Sequence, residues 1–565
     1  MEKQYLNTAF KINSYSDISK YLEEILNRTV SSSEELVTLI SDYGALVEAF
    51  QEDYGWAYVN MTRDTQNAEY RERFSLFNDV ISPEVQKISF EINKKIVHSK
   101  YAGSLKNSKW DLLLKRLSES IELFREENIP LGTEISNLAV KYQGKIGGAM
   151  IEFRKEEYTQ SQMMKFLESK DRETRKEAFD KIVEKRLSMK KDIDVIFTSM
   201  TSLRAKTASN AGYTNYTDFR FKELERFDYT VKDCNDFHSS VLEVCTPIMG
   251  EIIEEKRIKL SVDKMAPYDN YATLPDDEQL KPFETTEEFI EKSKQVFKSI
   301  DPRFYDAFVK VNSAKHLDLE SRKGKAPGGY NYPLYKAKLP FIFMNSSGSN
   351  NDMRTLMHES GHAVHTIAVS DMFTYFYKST PSEVAELASM GMEMITYDKW
   401  SIFYPNEKQL KQAQRKQLEG MITFFPWCAI VDKFQHFIYE NPTVSPEERN
   451  DYFEKLATDY QEKFFDWSQY KDYLRSLWQK QLHIFEVPFY YIEYGMAQLG
   501  AIQLWKNYMN DPKGTIEKYL KGLSLGSSKS IGEVYSTMGV SFDFSKEKMR
   551  ELMSFAYDEY KKVLS

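Results

Sequence analysis

The chain has 565 residues, 76 basic against 85 acidic side chains for a net charge of −9, and 41% hydrophobic with 14% aromatic residues. That composition excludes a disordered chain, and the length excludes a single small core, so two or more lobes are expected. Charges of both signs are interspersed with no basic face, which argues against a nucleic-acid partner.

The opening residues, MEKQYLNTAF, show no charged segment followed by an apolar run, and no uninterrupted apolar stretch reaches membrane-spanning length. Three scattered cysteines, Cys234, Cys245 and Cys428, make neither a disulfide framework nor a cysteine-rich metal knuckle. A cytoplasmic protein without a membrane partner is therefore expected. Apolar residues recur at helical spacing in SDISKYLEEILNRTV (16–30) and DRETRKEAFDKIVEKRLSMKKDIDVIFTSM (171–200). With only 23 glycines and 17 prolines, this predicts a mainly α fold. A shift to turn formers, AKTASNAGYTNYTDF (205–219), suggests a boundary near 185–205, taken as a helical domain over 1–190 and a catalytic domain over 191–565. The N-terminal third carries no nameable chemistry and reads as a wall or lid.

One stretch breaks the helical pattern. SRKGKAPGGYNYPLYKAKLPFIFMNSSGSNN (321–351) is punctuated by Gly324, Pro327, Gly328, Gly329, Pro333 and Pro340, and predicts a small sheet at about 321–345. Pro340–Asn345 reads as an edge strand able to pair with an extended peptide, with Gly328 and Gly329 allowing close backbone approach. A helix then starts near Asn351 or Asp352, capped by one of them, with Met353, Leu356, Met357, Val364 and Ile367 facing inward.

That helix carries TLMHESGHAVH (355–365), three of the chain's eight histidines. His358 and His362 are four apart, so both imidazoles share one helix face and can hold one cation. Glu359 lies about 100° around the helix, placed to reach a water on that cation rather than the cation itself. This HExxH pattern is a zinc-peptidase signature. Two neutral imidazoles and a carboxylate hold zinc with one open position, the metal lowers the pKa of its water to ~7, and Glu359 takes the proton and passes it to the leaving amine. Gly361, unfavourable inside a helix, is tolerable where a second helix carrying another ligand approaches.

A histidine ten positions after His358 would mark a metzincin, but that position holds Ala368. The alternative third ligand is a glutamate in STPSEVAELASMGMEMITYDKW (379–400). Thr380 as N-cap, Pro381 at the first helical position and Glu383 three after the cap would form a capping box, leaving Glu386 as the free carboxylate. Glu386 is favoured as ligand, Glu383 competes, Glu393 on the same face is placed behind the ligands or on the surface, and His365 behind the ligands or in the core.

HESGHAVH followed by EVAELASMGME resembles the thimet-oligopeptidase-like zinc metallopeptidases, most closely the oligoendopeptidase F (Pz-peptidase) branch. The resemblance extends through KGKAPGGYNYPLYKAKLPFIFMN and HIFEVPFYYIEYGMAQLGAIQLW, covering roughly Lys165 to the C-terminus. It implies zinc on His358, His362 and Glu386, with Glu359 as general base. It also implies a two-lobed helical fold around a deep channel with the metal at its floor, and short peptides as substrates. Family members use a histidine and tyrosines in a C-terminal segment to steady the oxyanion, which points to His483, Tyr491 and Tyr494, then Tyr490. The expected function is a zinc-dependent oligoendopeptidase. A metallo-carboxypeptidase on a similar scaffold needs a basic group for the terminal carboxylate. A non-catalytic peptide binder would carry a structural zinc, and such sites are usually closed by four protein ligands.

Overall fold

The computed structural model describes residues 5–7 and 9–564. Helices dominate it. None of the described helices is long and apolar enough to cross a membrane.

Among the described residues five short strands form two sheets. β1 (Met150–Phe153) and β2 (Glu156–Thr159) make an antiparallel hairpin. β3 (Leu317–Glu320), β4 (Tyr330–Leu334) and β5 (Leu339–Ser346) make the sheet expected in the glycine- and proline-rich stretch. Its order is β3-β5-β4, parallel between β3 and β5 and antiparallel between β5 and β4. This corrects the expectation for Pro340–Asn345, which lies in the central strand. Successive residues Phe341, Ile342, Phe343 and Met344 are all buried, and a strand buried on both faces belongs inside a sheet. The edges are β3 and β4, and residues Tyr330 to Pro333 of β4 are half-buried.

Apolar side chains gather in two main cores. Residues from Leu6 to Leu117 bury together with Tyr377, and residues from Leu123 to Tyr560 build a far larger cluster. The chain leaves the first core between Leu117 and Leu123. The boundary expected at 190 falls inside one continuous helix, Arg172–Asn210, which Asp171 caps by accepting from the Thr174 N–H.

Within the first core, helix Ser33–Arg63 reaches the sheet. Its Thr62 hydroxyl lies 2.6 Å from the Tyr330 hydroxyl, and the Thr62 carbonyl accepts from the Ala326 N–H at 2.8 Å. Arg63 Nε donates to Asp318 at 2.9 Å, the Thr65 N–H donates to the Gly324 carbonyl at 2.7 Å, and the Tyr332 ring lies against Gly55. The N-terminal third thus backs the sheet edge.

The motif helix runs Asn350–Val369. Ser349, not Asn351 or Asp352, is its N-cap, accepting from the Asp352 N–H at 3.2 Å. Asp352 returns the bond to the Ser349 N–H at 2.8 Å and also accepts from Ser347 N–H at 2.7 Å, a capping box that starts the helix one residue early. Met353, Leu356, Met357 and Val364 are buried as expected, and Ile367 is half-buried.

Candidate active site

Helix Ser382–Thr396 crosses the motif helix, and Gly361 allows it. A Cβ at 361 would stand 2.5 Å from the Ala388 carbonyl oxygen and 2.6 Å from Ser389 Cα, both rigid backbone. That contact brings Glu386 opposite the two histidines. His358 Nε2 lies 3.4 Å and His362 Nε2 3.8 Å from Glu386 Oε2. One donor atom from each of the three residues lies within 4.8 Å of the others. Both imidazoles are about a fifth exposed, at 21% and 19%, so the group faces open space.

The competitor Glu383 does not join them. It neither caps a helix nor pairs with Thr380: the helix starts at Ser382 after Pro381, with no side-chain cap. Glu383 is buried and accepts from the Tyr229 hydroxyl at 2.6 Å, a partner 154 residues away that local spacing does not reveal.

Behind the two histidines and Glu386, Glu393 lies 2.8 Å from His358 Nδ1 and accepts from Gln417 Nε2 at 3.0 Å. Burial lowers the His358 imidazole, but hydrogen bonds and charge from Glu386 and Glu393 win and raise it well above its usual range, so a metal must displace the Nε2 proton; the carboxylate on Nδ1 then holds the ring in that tautomer. Glu359 lines the same cavity, and its buried Oε2 has no hydrogen-bond partner among the described residues. Burial pushes its carboxyl up to about 7, with the opposing charge of His358 a smaller, lowering influence. Burial also pushes His362 down to about 4, so its imidazole is neutral at neutral pH. Glu386 is held down at about 2 because hydrogen bonding and charge from the histidines overcome its burial. Two imidazole nitrogens, an ionised carboxylate and an orphaned acid beside them fit a divalent metal with an open coordination position.

The cavity measures about 420 Å³ and is bordered on one side by Gly329, Tyr330, Asn331 and Pro333, on or beside the free edge of β4. Asn331 Nδ2 donates to the Glu359 carbonyl at 3.0 Å, joining that edge to the motif helix. Asn331 stands within a stretch that composition marks only as a loop or strand, so nothing local distinguished it. Gly329 lies against the backbone of β5, whereas Gly328 makes the turn before β4 with φ 94°. His365 lines the cavity wall apart from the cluster of His358, His362 and Glu386.

Of the four C-terminal candidates, the structure brings two to the cavity. The Tyr490 hydroxyl donates to Glu386 Oε1 at 2.8 Å, and Tyr494 stands beside it with ring centroids 5.2 Å apart. Burial raises both phenols above their usual range, and the Glu386 charge adds to this, so both keep their protons. Tyr491 and His483, ranked ahead of Tyr490 from sequence, pack behind them with ring centroids 5.0 Å apart and do not line the cavity. Tyr490 and Tyr494, four apart, share the helix face toward the cavity, whereas Tyr491 lies about 100° around the helix and packs on Phe424; a turn at Phe489 precedes them. That turn is strained. Phe489 is fully buried at φ 66°, with its N–H donating to Gln435 Oε1 at 2.9 Å and its carbonyl accepting from Arg226. Such a conformation persists only where the surroundings over-determine it.

Residues 165–554 match the model of peptidase family M3, and residues 6–124 match the peptidase M3 N-terminal domain. The chain belongs to peptidase family M3. This M3 peptidase is 24% identical to oligopeptidase PepF of Bacillus subtilis (strain 168) over 93% of its own length and 79% of that protein. It is 22% identical to an oligoendopeptidase F homolog of Lactococcus lactis subsp. lactis (strain IL1403), over 94% and 90% of the two chains. Its structure superposes on Pz peptidase A, solved with an inhibitor, with a TM-score of 0.92 at 25% identity over 98% of each chain. Oligoendopeptidase F of Enterococcus faecium shares the fold at a TM-score of 0.67 and 16% identity, over 97% of this chain and 98% of that one. The M3 peptidase is thus a mainly α enzyme of the oligoendopeptidase F type, cleaving internal peptide bonds.

Proposed function

We propose that this peptidase is zinc-dependent, that His358, His362 and Glu386 hold the metal, and that Glu359 is the general base for hydrolysis of short peptides. The observation that carries this reading is the approach of the three donor groups to within 4.8 Å of one another in the cavity that Glu359 also lines. Zinc held there supplies a Lewis acid for the scissile carbonyl and acidifies a water. Glu359, poised at about 7 by burial, accepts a proton at Oε2 and returns it to the leaving amine. Glu393 keeps His358 in the tautomer whose Nε2 faces Glu386. Tyr490 and Tyr494 offer phenolic O–H groups to the oxyanion, with His483 and Tyr491 packed behind to hold the rings.

The free edge of β4 offers main-chain hydrogen bonds to an extended peptide, which makes binding tolerant of side-chain identity. A carboxypeptidase would need an uncommitted cation for the chain terminus. Among the described lining residues the lysine or arginine present is Lys378, already paired with Glu48 at 2.7 Å. This supports internal cleavage. The test is a series of peptides blocked at both ends and graded in length, digested by the wild type and by Glu359→Gln with metal content measured in parallel. Cleavage by wild type alone, with equal zinc in both, is the expected result. Near-normal cleavage by a zinc-loaded Glu359→Gln would overturn the assignment of the base.

A further inference from the structure

Behind the tyrosine-bearing helix lies a second group of ligating side chains that peptide hydrolysis does not use. Helix Val231–Lys259 carries Cys234 and His238, and helix Glu407–Glu440 carries Asp432 and His436. Each pair is spaced by four, so each presents both side chains on one helix face. The two helices pack against one another, and the pairs meet. Donor atoms of Cys234, Asp432 and His436 lie within 4.8 Å of one another. His238 Nε2 stands 2.8 Å from Asp432 Oδ2. His436 Nε2 is 3.3 Å from the same oxygen yet lacks hydrogen-bond alignment with it.

The environment makes this arrangement costly as it stands. Cys234, His238 and Asp432 are 0% exposed and His436 4%. The rings of Phe221 and Phe489 close on His436. Asp432 Oδ1, His238 Nδ1 and both nitrogens of His436 have no hydrogen-bond partner among the described residues. Buried polar atoms left unpaired are expensive, and a buried carboxylate without a full counter-charge more so. Asp432 forms ion pairs only with the two imidazoles among the described residues, and the buried guanidinium nearby, Arg226, is committed to Glu493 at 2.8 Å. An imidazole nitrogen and a carboxylate oxygen in contact but unbonded, with a sulfur within reach, is the disposition of groups that share a third body. A divalent cation would also close the charge: one thiolate and one carboxylate cancel it, and the imidazole stays neutral.

We propose that Cys234, Asp432 and His436 form a second, structural metal site. The mixed sulfur, nitrogen and oxygen donor set suits zinc, and His238 fixes the ligating carboxylate from behind. On binding, the Cys234 thiol gives its proton to solvent and the S–H bond is replaced by a metal–sulfur bond. The ion joins two long helices of the larger core at a point that bears on the active site. Cys428, one turn before Asp432, donates its thiol to the Tyr491 carbonyl at 3.3 Å, and a Cβ at Gly495 would meet Phe237 and Cys428 Sγ at 2.7 and 3.0 Å. The pinned helices therefore form the bed on which the Tyr490–Tyr494 segment rests.

The test uses the full chain, produced in cobalt-supplemented, zinc-depleted medium so that metal enters during folding. Wild type is expected to carry two metal ions per chain and a near-ultraviolet sulfur-to-cobalt charge-transfer band. His362→Ala, which disables only the peptidase group, should keep one ion and the full band. Cys234→Ser should lose the band while keeping the other ion. One ion per chain in wild type with no sulfur band, or a band unchanged in Cys234→Ser, would overturn the proposal and leave a carboxylate hydrogen-bonded to the His238 ring alone. Because Cys234→Ser can fail to fold, the His362→Ala variant alone decides: no band there rejects the site.

Discussion

His358 and His362 face Glu386 across one pair of packed helices; Asp432 and His436 face Cys234 across another. The local device is the same, two ligating residues four apart on one helix and a third from a neighbour. The surroundings differ. The first group borders a 420 Å³ cavity and leaves its imidazoles a fifth exposed, while the second is sealed among aromatic rings. An open group can exchange a water for substrate; a sealed one can only hold the fold together. Loss of a ligand should therefore cost activity in the first and stability in the second.

The sharpest break of that contrast is Glu386→Ala. It should abolish peptide cleavage and strip the exchangeable zinc, measured by metal analysis after dialysis, with the unfolding midpoint little changed. Glu359→Gln should lower kcat/KM by about 10³-fold with zinc retained, the usual range for a positioned general base. In the sealed group, Asp432→Ala should cost about 3–5 kcal/mol in denaturant unfolding, as removal of one partner from a buried charged cluster does. Tyr490→Phe and Tyr494→Phe should each lower kcat by about 10²-fold with KM nearly constant, if each donates to the oxyanion. Tyr491→Phe, whose ring stays behind the cavity, should stay within a few-fold of wild type. Gly361→Ala acts through packing rather than chemistry. The Ala388 carbonyl cannot yield as a flexible side chain would, so overpacking of about 1–3 kcal/mol outweighs the helix-propensity gain of about 1 kcal/mol. Zinc affinity, read by competition with a chelator, should fall with it.

The same contrast explains what could be read in advance. HExxH announces itself because His358, Glu359 and His362 sit within five consecutive residues, and Glu386 follows on the next helix. Gly361 was legible for the same reason: a glycine in mid-helix asks for a close neighbour, and Ala388 is that neighbour. The Cys234–His238 and Asp432–His436 pairs are each unremarkable alone, and 198 residues separate Cys234 from Asp432, so only the packed helices bring them together. Glu383 was misplaced because its partner Tyr229 is equally remote and a capping box was the only local use for it. Pro340–Asn345 was read as an edge because periodicity reports that a strand exists and says little about what lies on either side. Tyr490 ranks below Tyr491 by resemblance, whereas helical spacing by itself already sets it beside Tyr494, four residues on. The turn just before Tyr490 depends on Phe489 at φ 66°, held by Gln435 from a distant helix and by Arg226 from a loop.

Helix Ser33–Arg63, with Thr65 just past its end, is bonded to Tyr330, Asp318, Ala326 and Gly324, all in or beside the sheet whose strand β4 borders the cavity. A hinge motion of the N-terminal helices that kept those bonds would haul β4 along with it. Widening the mouth and loosening the grip on a peptide backbone would then be a single movement, so that a spent fragment is released by the gesture that admits its successor.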